Sequence, residues 1–212
     1  MPPRSKSPVP TAADAERFGE DYYRRFYADP RTRVSDLRAV RKLADFVSGY
    51  LRYLDVPVRS ILDVGCGVGH WRTAAADVWP RASYHGVEHS SHLCERFGWT
   101  RASLVDFDPA AAVGHARFDL VVCQGVLQYL DDRDAARALA NLARWCSGAL
   151  YLEALTTLDW RRNCDRSRTD GDVHLRQGAW YRRRLDRHFL ACGGGVFCSR
   201  RAGVTLFELE GT

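Results

Sequence analysis

The stretch Ile61-Leu62-Asp63-Val64-Gly65-Cys66-Gly67-Val68-Gly69-His70-Trp71 constrains the fold of this chain more than any other. A run of β-favouring, mostly apolar residues leads into three glycines at alternate positions. That is the pattern of a buried parallel strand ending in a tight turn that opens a helix. Glycines in such a turn permit positive φ and let the main chain approach a bound molecule closely. Asp63 sets a carboxylate at the strand's carboxyl end, the edge where open α/β sheets bind ligands. Spacing narrows the ligand: a dinucleotide loop, G-x-G-x-x-G, needs its third glycine at position 70, which is His70. No lysine follows for a phosphate-gripping loop.

The chain's 212 residues suffice for one α/β domain with a sizeable core, not for two. Its composition, 46% hydrophobic and 27% charged, is that of a soluble globular protein. No apolar run reaches the ~18 residues of a membrane span. Met1 to Pro10, rich in proline and serine, reads as a disordered tail and not as a signal peptide, which points to the cytoplasm. The seven cysteines include no C-x-x-C pair and sit mostly in apolar stretches, so they read as buried reduced thiols, with no metal site and no disulfide framework. Net charge is +5, and of 31 basic residues only Lys6 and Lys42 are lysines. Such an arginine bias does not by itself argue for nucleic-acid binding.

Read in order, the chain predicts a helix over Thr11 to Ala28, with Phe18, Tyr22 and Phe26 along one face and Tyr23 and Tyr27 as i, i+4 neighbours. A second helix starts from Ser35 as N-cap and runs to Leu54. Strands are expected at Ser60 to Val64, Ser83 to Glu88, Ala102 to Val105, from Phe118 onward, and at Ala149 to Leu155. A charged stretch from Thr156 to Gly195 follows, helical over Ala179 to Phe189, and a last hairpin pairs Val196 to Arg200 with Val204 to Glu210.

The glycine stretch closely resembles the first motif of the class I S-adenosylmethionine (SAM) dependent methyltransferases, an acidic residue followed by G-x-G-x-G. Further motifs join it. Glu88 after Gly86-Val87 is similar to the family's second motif, whose acid bonds the ribose hydroxyls, with His89 flanking the adenosine. Asp106-Phe107 matches the position where an acid meets the adenine amino group and the next residue covers the ring. Phe118-Asp119-Leu120-Val121-Val122-Cys123-Gln124-Gly125-Val126-Leu127-Gln128-Tyr129-Leu130 looks like the fourth motif of enzymes acting on small molecules, which puts Gln124, Gly125 and Gln128 beside the methionine moiety. Where a base-methylating enzyme shows D/N-P-P-Y/F/W, this chain has Cys-Gln-Gly-Val.

The resemblance covers Ser60 to Leu155 by motif. It implies a seven-stranded, mostly parallel, doubly wound sheet with an antiparallel last strand and helices on both faces. It also implies lid helices over about 11–55, a SAM-binding core over about 58–155, and a substrate insertion with a terminal hairpin over about 156–212. SAM would be the cofactor and S-adenosylhomocysteine the product, with Asp63, Gly65, Cys66, Gly67, Gly69, Trp71 and the lid's Tyr27 also touching it. The expected acceptor is an oxygen or nitrogen of a small metabolite; a peptide side chain, or a non-catalytic SAM-binding subunit, are the alternatives. Nucleic acid and membrane are disfavoured as partners, and either a monomer or a homodimer is expected. For catalysis, His174 is the expected proton acceptor, with Asp170 or Asp172 to orient it and Arg176 to hold an anionic acceptor, and His89 is second; Tyr23 and Glu153 are the other candidates.

Overall fold

A computed structural model describes residues 17–33 and 35–211. The expected tail over 1–10 and the helix start at Thr11 lie outside them. Strands β1 (Ser60–Val64), β2 (Ser83–Glu88), β3 (Thr100–Arg101), β4 (Phe118–Gln124), β5 (Cys146–Glu153), β6 (Phe189–Gly193) and β7 (Val196–Ser199) form one sheet in the order β3-β2-β1-β4-β5-β7-β6. The first five run parallel, while β7 lies antiparallel between β5 and β6. The helices are α1 (Glu20–Tyr23), α2 (Leu37–Tyr53), α3 (His70–Val78), α4 (Ser91–Phe97), α5 (Pro109–Val113), α6 (Asp132–Trp145), α7 (Thr157–Arg162) and α8 (Gly178–Leu185).

Strand alternation divides the core and positions the site. Leu62, Val64, Val121, Cys123, Leu150 and Leu152 turn to one face, covered by Leu139, Leu142 and Trp145 of α6 and by Tyr181 and Leu185 of α8. Ile61, Leu120, Val122, Ala149 and Tyr151 turn to the other, covered by Val40, Val47 and Leu51 of α2 and by Trp71 and Ala74 of α3. Because both faces are covered, the central strands are near-continuous apolar runs. The same parity carries Asp63, Gln124 and Glu153 onto the α2–α3 side. With Asp63 level with Val122, and Gln124 level with Glu153, three polar strand ends stop side by side at the carboxyl edge.

Several elements depart from expectation, each for a local reason. The strand expected at Ala102–Val105 is replaced by a two-residue β3, because the Ser103 hydroxyl takes the Val105 N–H and the Ser103 carbonyl takes those of Asp106 and Phe107. The final hairpin is β6–β7, turned at Gly194-Gly195 with φ of 58° and 79°, the primed geometry that suits strand twist. Phe189 therefore belongs to β6 and not to the preceding helix, and Val204 to Glu210 form no strand. Instead the Glu210 carboxylate accepts from the Tyr53 hydroxyl (2.6 Å) and the Phe207 N–H (2.8 Å). Asp36, not Ser35, caps α2, accepting from the Ala39 N–H at 2.9 Å. The stretch expected as loop after Glu153 opens with α7, held by a capping box in which Thr156 and Asp159 bond reciprocally. Beyond α1 the chain widens to a π-helical turn over Arg24–Ala28, closed by the Asp29 N–H on the Arg24 carbonyl (2.9 Å).

Candidate active site

Gly65 and Gly67 adopt φ of 71° and 53°, conformations that L side chains rarely take. Their surroundings differ. A Cβ on Gly65 would run into the Val126 side chain, whereas one on Gly67 would meet nothing nearer than the Gly65 carbonyl oxygen at 3.9 Å. On its Cβ side Gly65 is thus closed by the turn after β4, whereas Gly67 is open there. The loop is clamped from β2: Val87 O accepts from Gly65 N–H (2.8 Å) and Cys66 N–H (3.2 Å), and the Glu88 carboxylate accepts from Gly67 N–H at 2.9 Å. Trp99 Nε1–H donates to Gly67 O at 2.9 Å. Below the loop, Asp63 is buried and accepts a short hydrogen bond from Tyr84. Burial pushes its carboxyl up to about 7 against that hydrogen bond, with the Glu88 charge adding to the rise.

These elements open into a cavity of about 770 Å³. One wall is the β1 loop with His70 and Trp71. The middle is the β4 end, Gln124 to Tyr129. The far wall is Glu153 to Leu155 together with Asp159 to Asp170, and Tyr22, Phe26 and Tyr27 form a roof. A polar relay crosses the middle: Trp71 Nε1–H donates to Gln124 Oε1 (2.8 Å), Gln124 Nε2 donates to Glu153 Oε2 (3.0 Å), and the Tyr151 hydroxyl donates to that same oxygen (3.1 Å). An indole N–H can only donate, so it fixes the Gln124 amide with its oxygen toward Trp71 and its NH₂ toward the carboxylate. Gln128, 8% exposed, has its Oε1 buried without a hydrogen-bond partner. Tyr22 and Tyr129 share a hydroxyl–hydroxyl bond of 2.8 Å, and burial raises both phenols.

Of the residues singled out from sequence, Asp63, Gly65, Cys66, Gly67, Trp71, Gln124, Gly125, Gln128, Glu153 and Tyr27 come together around this cavity. Others stand back from it. Gly69 is the N-cap of α3, its Cβ position only 2.9 Å from Trp99. Glu88 is buried under the loop, its other oxygen taken by the His89 N–H (2.7 Å) and the Ser90 N–H (2.9 Å). His89 is half-buried beside it. Tyr23 is buried among Cys66, Leu93, Cys94 and Trp99, where it ties the roof to the loop and does not face the cavity. Asp106 pairs with Arg137 at 3.6 Å on the surface. Phe107 is a core residue, edge-on to Trp145 at 5.5 Å between ring centres, so it has no free face to cover a ring.

His174 does not line the cavity. Its side chain is exposed, and it acts through its main chain, donating N–H to Gln128 O at 2.8 Å. Its neighbour Arg176, read from sequence as a holder of anions, is buried and spent: the guanidinium bonds Leu127 O (3.0 Å), His174 O (3.3 Å), Leu130 O and the Asp132 carboxylate (2.7 Å). The histidine that does line the cavity is His70. Burial lowers its basicity, with Asp36 opposing the shift and Arg33 adding to it. The signal for His70 was present in its place directly after the last glycine, at the first turn of a helix that faces the strands' carboxyl edge. No such signal existed for Tyr129 or for the α7 segment.

A family profile described as "Methyltransferase domain" matches residues 20–201. Trans-aconitate 2-methyltransferase of Azoarcus sp. (strain BH72) is 30% identical over 126 residues, which are 56% of this chain and only 42% of that protein's length. Among solved structures, the PH0226 protein from Pyrococcus horikoshii OT3 superposes with a TM-score of 0.59 at 12% identity, over 85% of this chain and 97% of that one. CalS10, an amino pentose methyltransferase from Micromonospora echinaspora, gives 0.54 at 16% identity, over 80% and 94%. At these identities the two structures speak for the fold. The family profile runs from α1 past β7 and takes in every wall of the cavity, and the chain belongs to the methyltransferase-domain family.

Proposed function

We propose that this chain binds SAM in the cavity and transfers its methyl group to an oxygen or nitrogen of a small molecule, releasing S-adenosylhomocysteine, a reaction of the EC 2.1.1 type. The observation that carries the reading is Gly67, whose positive φ and open Cβ side leave room for a ligand against the loop at the sheet's ligand edge. The donor set suits the cofactor. Asp63 offers a carboxylate to its ammonium. Glu88, which accepts three main-chain N–H bonds from beneath, holds the loop in the shape that faces the cofactor. Gln124, Gly125 and Gln128 occupy the middle, between the loop and the far wall, and Asp106 is the candidate for the adenine amino group.

Bound there, SAM supplies a methyl carbon activated by its sulfonium, taken by an acceptor lone pair while the C–S electron pair stays on sulfur. What remains for the protein is alignment and exclusion of water. The roof keeps water out, since Tyr22 bridges to Tyr129, and Ser90 Oγ–H donates to Phe18 O at 2.6 Å, closing the amino-terminal segment over the loop. A small acceptor is also what the relatives' names suggest, trans-aconitate for one and an amino pentose for another. We place the reaction in the cytoplasm, a reading that six buried, reduced cysteines support. Isothermal titration with SAM and S-adenosylhomocysteine is the direct test. One site per chain is expected, and absence of binding by both overturns the reading; release of S-adenosylhomocysteine across an acceptor panel then tests turnover.

A further inference from the structure

The cavity's polar groups are unevenly spent. Every nearby donor of the relay points at one oxygen: Gln124 Nε2 and the Tyr151 hydroxyl both end on Glu153 Oε2, and Trp71 holds Gln124 in that orientation. Among the described residues none donates to Glu153 Oε1, which belongs to an exposed side chain of the cavity lining. What the relay leaves free at Glu153 is therefore an acceptor, one carboxylate oxygen. Charge points the same way. The lining cations are already paired, Arg33 with Asp36 at 2.8 Å and Arg168 with Asp165 at 3.8 Å. The third guanidinium near the site, Arg176, is buried on backbone carbonyls. An incoming carboxylate would find the lining guanidiniums already facing carboxylates, and would itself face Glu153.

We propose that the acceptor subsite selects an amine, bound as a cation with an N–H donor on Glu153 Oε1, and rejects polycarboxylates. The inference rests on the methyl-transfer reading for its consequence but not for its binding preference. A carboxylate attracts an ammonium and repels an anion of the same shape. Before transfer the ammonium releases one proton to solvent at the exposed Glu153, and the lone pair so freed takes the methyl group.

A matched series of sugars isolates the preference. Glucosamine, glucose and glucuronate share one ring and differ in carrying an ammonium, a hydroxyl and a carboxylate. Each is titrated by calorimetry into the full chain, with and without S-adenosylhomocysteine. The expected order is glucosamine first and glucuronate last, the extremes separated by about tenfold or more, the scale of a hydrogen bond to a charged group. Glu153→Gln, isosteric at an exposed position, should bring glucosamine and glucose to within about twofold of each other. Equal affinity for the three sugars, a reversed order, no measurable binding of the amine, or an undiminished amine preference in Glu153→Gln overturns the proposal. Failure of S-adenosylhomocysteine to bind overturns the methyl-transfer reading instead, and the sugar order in its absence still decides the amine preference.

Discussion

The two walls of the cavity are held in place by different means. The glycine wall is local: Asp63 to Ser90 is one strand–loop–helix–strand unit whose turn is fixed by positive φ values and by bonds to Val87 and Glu88 at the next strand's tip. The far wall is tied by contacts between residues distant in sequence. Arg176 reaches back to Leu127, Leu130 and Asp132, and Thr157 N–H bonds the Arg176 carbonyl at 2.9 Å. Backbone geometry therefore specifies the glycine wall, and one buried guanidinium organises the far wall. A wall of the first kind tolerates change in its neighbours, while one of the second kind depends on a single side chain.

The largest effect is expected on the glycine wall. Gly65→Val places a β-branched residue at φ 71° and drives it into Val126. Strain and overpacking together should cost about 4 kcal/mol by denaturant unfolding. Gly67→Ala meets no atom, so its stability cost is only the ~1 kcal/mol of the backbone conformation, yet S-adenosylhomocysteine affinity should fall at least about tenfold. Equal damage to stability in the two variants would mean that the loop is closed at both glycines and that Gly67 is not the open position.

Arg176→Met comes next. It strips the carbonyls of Leu127, Leu130 and His174 of a buried donor, and the expected loss is about 3 kcal/mol. A loss below about 1 kcal/mol would show that the far wall does not depend on this residue and would dissolve the contrast.

The same contrast explains what could be read from the chain. Ile61 to Trp71 and Phe118 to Leu130 declared themselves because glycine, pleat alternation and apolar runs act over a few residues. β2 lies where its Ser83-to-Glu88 pattern put it. Phe107 and Arg176 were misread because nothing local distinguishes a ring over a ligand from a ring against Trp145, or a free guanidinium from one that caps carbonyls more than forty residues away. The hairpin was displaced by one strand for a similar reason. Gly193-Gly194-Gly195 reads in the sequence as the end of the charged stretch before the hairpin, whereas two of its residues are the tight turn itself, and Gly195 packs so closely on Tyr151 that a Cβ there would lie 2.9 Å from the ring.

Titration of Asp63 sharpens the comparison further, because it ties the glycine wall's stability to its ligand. Burial raises the folded carboxyl to about 7, whereas in the unfolded chain it titrates near ~3.9. Between those values the native state keeps a proton that the unfolded state has lost. Stability from this group is full at low pH and declines as pH rises, by up to about 1.4 kcal/mol per unit, levelling once the folded carboxyl has ionised. Binding runs the other way. The cofactor's ammonium calls for the ionised carboxylate, so S-adenosylhomocysteine affinity should climb from about pH 6 to about pH 8. Asp63→Asn should flatten both trends. A flat binding profile in the unmodified chain would detach Asp63 from the ligand.

The smallest effect is expected at His174. Its imidazole is exposed and outside the cavity, so His174→Ala removes nothing that touches a substrate, and turnover should stay within about twofold, against the ~10² or more that loss of a general base costs. The main chain is another matter, since the His174 N–H satisfies Gln128 O at 2.8 Å and so braces the turn that carries Gln128 into the cavity. His174→Pro deletes that donor and leaves a carbonyl without its partner, at a cost of about 1 to 2 kcal/mol. The pair separates the two roles: if alanine abolishes turnover while stability holds, His174 works through its ring and the far wall is chemical. If proline alone weakens the protein, His174 is a brace like its neighbour Arg176, and proton removal falls to the groups that do line the cavity.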